Sequence, residues 1–251
     1  MELPYVIDNR DHQLANVLDR LLRSDAVHAL DVATAYFNVG AFDLLREALE
    51  RLDSVRLLLG SEPGGADDLG LRQALRRDLD AAPFDEATLQ LVEALIRFLR
   101  RESVAVKLYR QGFLHAKSYL CFADTAPGDR FRPVAGIVGS SNFTRAGLTT
   151  NQELNLTHKV LLEPEEIDDW QAADAVRPVL TADAASDDLP LFAQPADAAD
   201  VEAHARREIK SEVGARAIIE LLTWYETRWE ESRDFKDDLI ALLDESKFGG
   251  H

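Results

Sequence analysis

Apolar residues at Leu14, Val17, Leu18, Leu21 and Leu22 recur at the spacing of one helical face, and Asp8 and Asn9 ahead of them offer N-cap side chains for a helix through Leu22. The pattern then changes. Ala29 to Phe37 is rich in apolar and β-forming residues and reads as a strand buried on both sides; Asn38, Val39 and Gly40 turn it into a helix from Ala41 to Leu52. Ser54 to Leu59 is the next strand, and strand, crossover helix and strand in that order predict a right-handed parallel βαβ unit. Gly60 to Gly70 holds four glycines and Pro63, yet it has neither a Gly-Lys-Ser/Thr ending nor G-x-G-x-x-G, so it reads as a flexible loop rather than a phosphate loop. Helices are expected around Asp68 to Leu79 and Asp85 to Arg101, the second amphipathic through Leu89, Val92, Leu95, Ile96 and Leu99. Val104 to Tyr109, Leu114 to Leu120, Ala135 to Val138 and Leu154 to Val160 complete the strands. Between Cys121 and Ala135, Asp124, Pro127, Gly128, Asp129 and Pro133 mark a hairpin loop. The fold class is α/β, a mixed, largely parallel sheet flanked by helices.

Beyond that unit the composition shifts. Glu163 to Asp200 is acidic and alanine-rich with four prolines, and within it only Asp168 to Val176 suggests a short helix. Val201 to Ser246 returns to helix, with Ile209, Val213, Ile218, Leu221, Leu222 and Trp224 as one apolar stripe and Phe235, Leu239, Ile240, Leu242 and Leu243 as a second. The expected organisation is a catalytic domain over 1–160, an acidic linker or lobe over 161–200 and a helical C-terminal segment over 201–251. Trp224, Tyr225 and Trp229 are available to stack bases, although aromatics at helical spacing more often pack against a core or a partner.

A formal net charge of −17 argues against a general polyanion-binding surface. The distribution qualifies that: residues 101–159 carry eight Lys or Arg against four Asp or Glu, whereas 160–200 carry one Arg against eleven acids. A locally basic segment keeps a nucleic-acid substrate open. The single cysteine, Cys121, excludes an intrachain disulfide and, lying in an apolar run, reads as a buried inert thiol. With no basic-then-apolar leader and no apolar run near about 20 residues, the expectation is a cytoplasmic protein without a membrane partner.

Chemistry concentrates between Gln111 and Asn155. A strand through Leu114 to Leu120 sets His115 and Lys117 on one face. The apolar run Ala135 to Val138 ends in Gly139-Ser140-Ser141-Asn142, small polar residues that let an anion approach backbone amides, and Glu153 follows. An imidazole, an ammonium, an amide and a carboxylate make a kit for attacking a phosphodiester: His115 as nucleophile, Lys117 and Asn142 stabilising phosphoryl charge, and Glu153 orienting a ring. No cofactor is implied, and no His, Cys and Asp cluster at metal-ligand spacing accompanies the set. His158, one strand parity away from Glu153, is read as structural or surface.

His-x-Lys, then Gly-Ser-Ser-Asn-Phe-Thr, then Gln-Glu-Leu-Asn resembles the phospholipase D superfamily, in particular its single-motif nuclease-like members and the domains that precede motors in some bacterial helicases. The resemblance is strongest over Val104 to Thr157 and fainter over Asp8 to Ser61. It implies that His115 is the nucleophile, Lys117 the phosphate-binding lysine, Asn142 a phosphate contact and Glu153 the carboxylate partner of the histidine, with Ser140 and Ser141 lining the phosphate pocket. The family's H-x-K-x4-D pattern wants an aspartate at 122, where this chain has Phe122; Asp124 is a candidate partial substitute. The resemblance further implies a metal-independent nuclease working through a phosphohistidine, as a helicase-linked or phage-defence module with a helicase or ATPase partner. Two alternatives stay open: an inactive module that binds nucleic acid or protein, and a lipid phosphodiesterase, ranked last because the chain lacks an amphipathic helix with a basic face. Because the superfamily's mechanism uses two histidines and this chain has one His-x-Lys, a symmetric homodimer with a composite active site is expected.

Overall fold

The computed structural model describes residues 3–60, 69–126, 130–159 and 216–249. Strand β1 (Val6–Ile7) leads into a tight turn in which the Asp8 carboxylate accepts from the backbone N–H groups of Arg10, Asp11 and His12. That turn delays the first helix. Helix α1 (Leu14–Leu22) starts five residues after Asn9, which at φ 62° reaches forward to accept from the Leu14 N–H at 2.9 Å and thus caps from a distance. The predicted βαβ unit follows as β2 (Ala29–Thr34), α2 (Val39–Glu50) and β3 (Ser54–Leu59). The Asn38 side chain accepts from the Ala41 N–H at the start of α2, a contact contributing about 1 kcal/mol. Helices α3 (Leu69–Ala81) and α4 (Glu86–Leu99) come next, the latter capped by Asp85 through Thr88 N–H, before β4 (Val104–Leu108). Strands β5 (Ser118–Phe122) and β6 (Pro133–Gly139), helix α5 (Arg145–Thr149) and β7 (Asn155–Lys159) follow.

Among the described residues, the expected helical C-terminal segment is interrupted by a strand. Helix α6 spans 216–230, strand β8 (Arg233–Asp234) pairs antiparallel with β4, and α7 (Lys236–Asp244) begins after Phe235 donates its N–H to Val106 O at 2.9 Å. The open edge of β4 offers backbone partners that a continuous helix would forgo. The glycine-rich loop at 61–68, the acidic 161–200 stretch and the short helix expected at Asp168 to Val176 lie outside the described residues.

The eight strands form one mixed sheet in the order β1-β7-β6-β5-β2-β3-β4-β8. Its parallel part is confined to β2, β3 and β4; every pair that involves β5, β6 or β7 is antiparallel, so the sheet is less parallel than the sequence suggests. One face is covered by α1 to α5 and α7, packed on Leu30, Val32, Val55, Leu57, Val106 and Cys121. Cys121 is fully buried, and burial pushes its thiol pKa up, in keeping with an inert side chain.

The other face is covered by α6, through Ile218 and Tyr225 on Ala29, Ala33, Leu58, Leu120 and Phe122. At the centre of that face Asp31 is fully buried between two guanidinium groups. It accepts from Arg56 Nε at 2.9 Å and from Arg130 Nε at 2.8 Å, while Arg56 also binds Glu226 of α6. Tyr225 and Trp229 stack on each other, the Arg56 guanidinium lies over both rings, and Lys107 Nζ sits 4.9 Å from the Trp229 centroid. These aromatics pack the core of α6 against the sheet, as the packing reading of them expected. Farther along this face, Val6, Leu156 and Val138 stand in register on neighbouring strands and are exposed, as is Leu154.

Candidate active site

The sheet brings the ends of five strands together on one rim: the carboxyl ends of β2, β3 and β6 and the amino ends of β5 and β7. His115, Lys117, Ser140, Ser141, Asn142 and Glu153 all sit at or beside it. Two glycines allow the crowding. A Cβ on Gly139 would collide with Leu154 O and Asn155, and one on Gly60 with Leu114 O, so only glycine lets these backbones meet. Gly139 N–H donates to Lys117 O at 3.2 Å and Ser140 N–H to Leu154 O at 3.1 Å, which draws the three segments bearing Lys117, Ser140 and Glu153 side by side.

His115 and Lys117 do not lie within a strand. The ladder to β2 starts at Ser118, and residues 111–117 run as an extended lead-in anchored by buried Leu114. The apolar alternation of Leu114 and Ala116 imitates a strand, but no ladder pairs it, and Leu114 O instead approaches Gly60. His115 is exposed at the rim, whereas Lys117 is buried. The Lys117 ammonium donates to the backbone carbonyl of His115 at 2.8 Å. Burial lowers the pKa of Lys117 below the usual lysine value, and the Glu153 carboxylate pulls it partly back.

Asn142 is held from the first half of the chain. Its Oδ1 accepts from the Tyr36 N–H at 3.2 Å, and a backbone donor there fixes the oxygen inward, which turns the amide N–H donors the other way. Thr34 supports the same corner: its Oγ1 donates to Tyr36 O at 2.8 Å and accepts from Phe143 N–H at 2.9 Å. Sequence reading missed Thr34 and Tyr36; their signal was the polar ending of the otherwise apolar β2 run.

Glu153 accepts from Ser140 Oγ and, at 3.4 Å, from Asn151 Nδ2. Among the described residues neither ring nitrogen of His115 has a hydrogen-bond partner, so the expected carboxylate-to-imidazole bond is not made, and the His115 ring instead lies against Phe113 with centroids 5.2 Å apart. Ser140, expected to line a phosphate pocket, is exposed but spends its hydroxyl on Glu153 and its acceptor on Leu154 N–H. Ser141 departs further from that expectation. It is fully buried, with its N–H and Oγ paired to Asn155 and its carbonyl to Tyr119 Oη, so it shapes the turn that presents Asn142.

Asp124 does not replace the missing motif aspartate at the site. Its carboxylate accepts from the N–H groups of Phe131 and Arg132 at the far end of β5, pinning the β5–β6 hairpin. Phe122 is likewise remote: seven residues of extended chain from His115 amount to about 23 Å. There its ring lies 5.2 Å from the Arg130 guanidinium, and the carboxylate that Arg130 uses is Asp31 on the neighbouring strand. His158 is partly buried on β7, on the sheet face opposite to that of Asn155. Among the described residues no group of three or more His, Cys, Asp and Glu side chains converges, and no helix is long and apolar enough to cross a membrane.

Residues 19–170 match the family described as cardiolipin synthase, PLD-like domain. No curated protein matches the sequence significantly. Among solved structures, the chain is similar to Nuc, a phospholipase D family member from Salmonella typhimurium, at 13% identity and TM-score 0.44 over 91% of this chain and 95% of that one. NucT from Helicobacter pylori is similar at 15% identity and TM-score 0.34, over 67% and 90% of the two chains. Yeast tyrosyl-DNA phosphodiesterase is similar at 11% identity and TM-score 0.36, over 72% of this chain and 37% of that one.

Proposed function

The chain belongs to the phospholipase D-like family, and we propose that it is a metal-independent nuclease that cleaves phosphodiesters through a phosphohistidine. The observation that carries this reading is the meeting of His115, Lys117, Asn142 and Glu153 on one sheet rim, with the imidazole exposed and the buried Lys117 ammonium on the His115 carbonyl. In the first step a ring nitrogen of His115 attacks phosphorus, the bond to the leaving oxygen breaks, and the Lys117 ammonium and the outward Asn142 amide meet the charge on the phosphoryl oxygens. In the second step water attacks the same phosphorus and His115 departs. Glu153 acts on Lys117 by charge and is held in place by the Ser140 hydroxyl.

The leaving oxygen needs a proton, and the chain has one His-x-Lys. A second copy related by a two-fold axis supplies the second imidazole as general acid, and as base for the water. Two features support this arrangement: the rim is open at His115, and the exposed apolar row of Val6, Val138, Leu154 and Leu156 adjoins Glu153.

The test is cleavage of labelled single- and double-stranded oligonucleotides in excess EDTA, with phosphatidylcholine in parallel. Cleavage of nucleic acid that survives chelation and vanishes in His115→Ala is expected; strict dependence on added magnesium or manganese, or turnover of the lipid alone, overturns the reading. A second reading, a module that binds phosphodiesters without cutting them, is favoured by the unpartnered His115 ring, and tight binding without any turnover would establish it.

A further inference from the structure

Phe113 stands out on the rim because nothing in the fold requires it there. The segment 111–117 alternates: Leu114 is buried against the second core cluster, while its neighbours Phe113 and His115 both face solvent. Phe113 is 44% exposed, an unusual place for a phenyl ring, and its ring lies tilted by 34° at 5.2 Å from the His115 imidazole. The backbone beside it is open too, since a Cβ built on Gly112 would meet no non-neighbouring atom within 4 Å. The backbone beneath is fixed, because Leu114 O is pressed against Gly60. A strap anchored at Leu114 therefore holds an exposed aromatic ring two residues from the imidazole assigned to attack phosphorus.

We propose that Phe113 is the substrate-stacking residue of this site and that the substrate is single-stranded nucleic acid. The inference rests on the nuclease reading of the same rim. A nucleotide carries its base one sugar away from its phosphate, so a phosphodiester seated on His115 brings the flanking base over the neighbouring ring. In a duplex both faces of each base are covered by the bases above and below, and Phe113 finds no free face; in a single strand the base turns out and stacks. Every base has a π-face, so this contact selects strandedness and tolerates sequence.

The test uses the full chain, as wild type, Phe113→Leu and Phe113→Trp, with a short fluorescent single strand, the same strand carrying abasic sites, and the duplex. Binding is followed by anisotropy and cleavage by gel. Phe113→Leu is expected to weaken binding of the intact single strand about tenfold, Phe113→Trp to retain it, and the abasic strand to bind wild type and Phe113→Leu alike. Equal losses by Phe113→Leu on intact and abasic strands would mean that the ring only props His115, and a wild-type preference for duplex would mean that strandedness is set elsewhere; either overturns the proposal. The nuclease reading fails separately: single strands that bind through Phe113 but are never cut remove the chemistry and leave the stacking contact standing.

Discussion

Replacing Asp31 by Asn keeps the shape of the side chain and removes its charge from between two buried guanidinium groups. In the wild type, Asp31 is fully buried and both of its oxygens accept from arginine: Oδ1 from Arg56 and Arg130, and Oδ2 from Arg56 again. Asparagine presents an NH2 group where one of those acceptors was, so a donor faces a donor. Breaking a buried pair by removing one partner costs about 3–5 kcal/mol. Arg56 retains Glu226, which is about one third exposed and so compensates only in part, and Arg130 retains Ser54 Oγ at 3.0 Å and the Phe122 ring. The loss is therefore expected near the lower end, about 3–4 kcal/mol, and at roughly 2–4 °C per kcal/mol for a chain of this size it lowers Tm by about 6–16 °C. Urea unfolding followed by tryptophan fluorescence is the natural assay, because Trp229 lies over Arg56 and reports on this network. Asp19→Asn is the control: the half-exposed Asp19–Arg23 pair, at 2.9 Å on the surface of α1, is worth less than about 1 kcal/mol. If Asp31→Asn unfolds within 1 kcal/mol of wild type, the desolvation of three charges has already cancelled their attraction and the network does not hold α6 to the sheet.

The depressed pKa of Lys117 is expected to place the alkaline limb of kcat/KM below the usual lysine value of 10.5, since the ammonium proposed to meet phosphoryl charge is lost as pH rises through it. In Lys117→Arg the cation persists, so whatever rate remains should keep its level past that limb, and an unmoved limb assigns it to another group. For stability the sign is opposite: below the lowered pKa the fold carries a charge that the unfolded chain hydrates better, and this cost fades as pH rises toward 10.5. A mixed dimer of wild type with His115→Ala, purified by two tags, should be severely impaired because the shared site has lost one of its two imidazoles; activity near half that of wild type would mean independent sites.

Much of the first half of the fold is legible because local and long-range preferences agree. Ser54 to Leu59 is apolar, bounded by a capped helix and a glycine, and forms β3 with those bounds. Asp85 caps α4 one residue ahead of its first turn, as its side chain dictates. Where pairing partners decide, the sequence misleads. Leu114 and Ala116 alternate like a strand yet have no ladder, and β8 exists in two residues only because β4 has a free edge. The polar residues behind the site are the least legible. Thr34 and the Tyr36 N–H reach Asn142 across more than a hundred residues, and Asp31, inside an apolar run, gives no hint that Arg56, Arg130 and Glu226 complete it. Likewise, Ser140 and Ser141 match a motif by spacing, but their hydroxyls are consumed by Glu153 and Asn155, contacts that spacing does not encode.

Helix α6 gives the molecule an order of events during its own synthesis. Leu58, Leu120 and Phe122 belong to strands completed before Lys159 leaves the ribosome, yet their cover, Ile218 and Tyr225, follows up to 71 residues after it, counting from Lys159 to residue 230. At about 5–20 residues per second, roughly 4–14 s separate Lys159 from the end of α6, an interval in which the sheet lacks the cover of Ile218 and Tyr225, Arg56 lacks Glu226, and β4 lacks β8 along its outer edge. Those seconds are the interval in which a neighbouring nascent chain can add itself to the β4 edge, and in which a chaperone that shields apolar strands has the greatest effect on yield. Slow codons placed just after Lys159 should lengthen the interval and lower the soluble fraction, whereas slow codons beyond residue 249 should leave it unchanged.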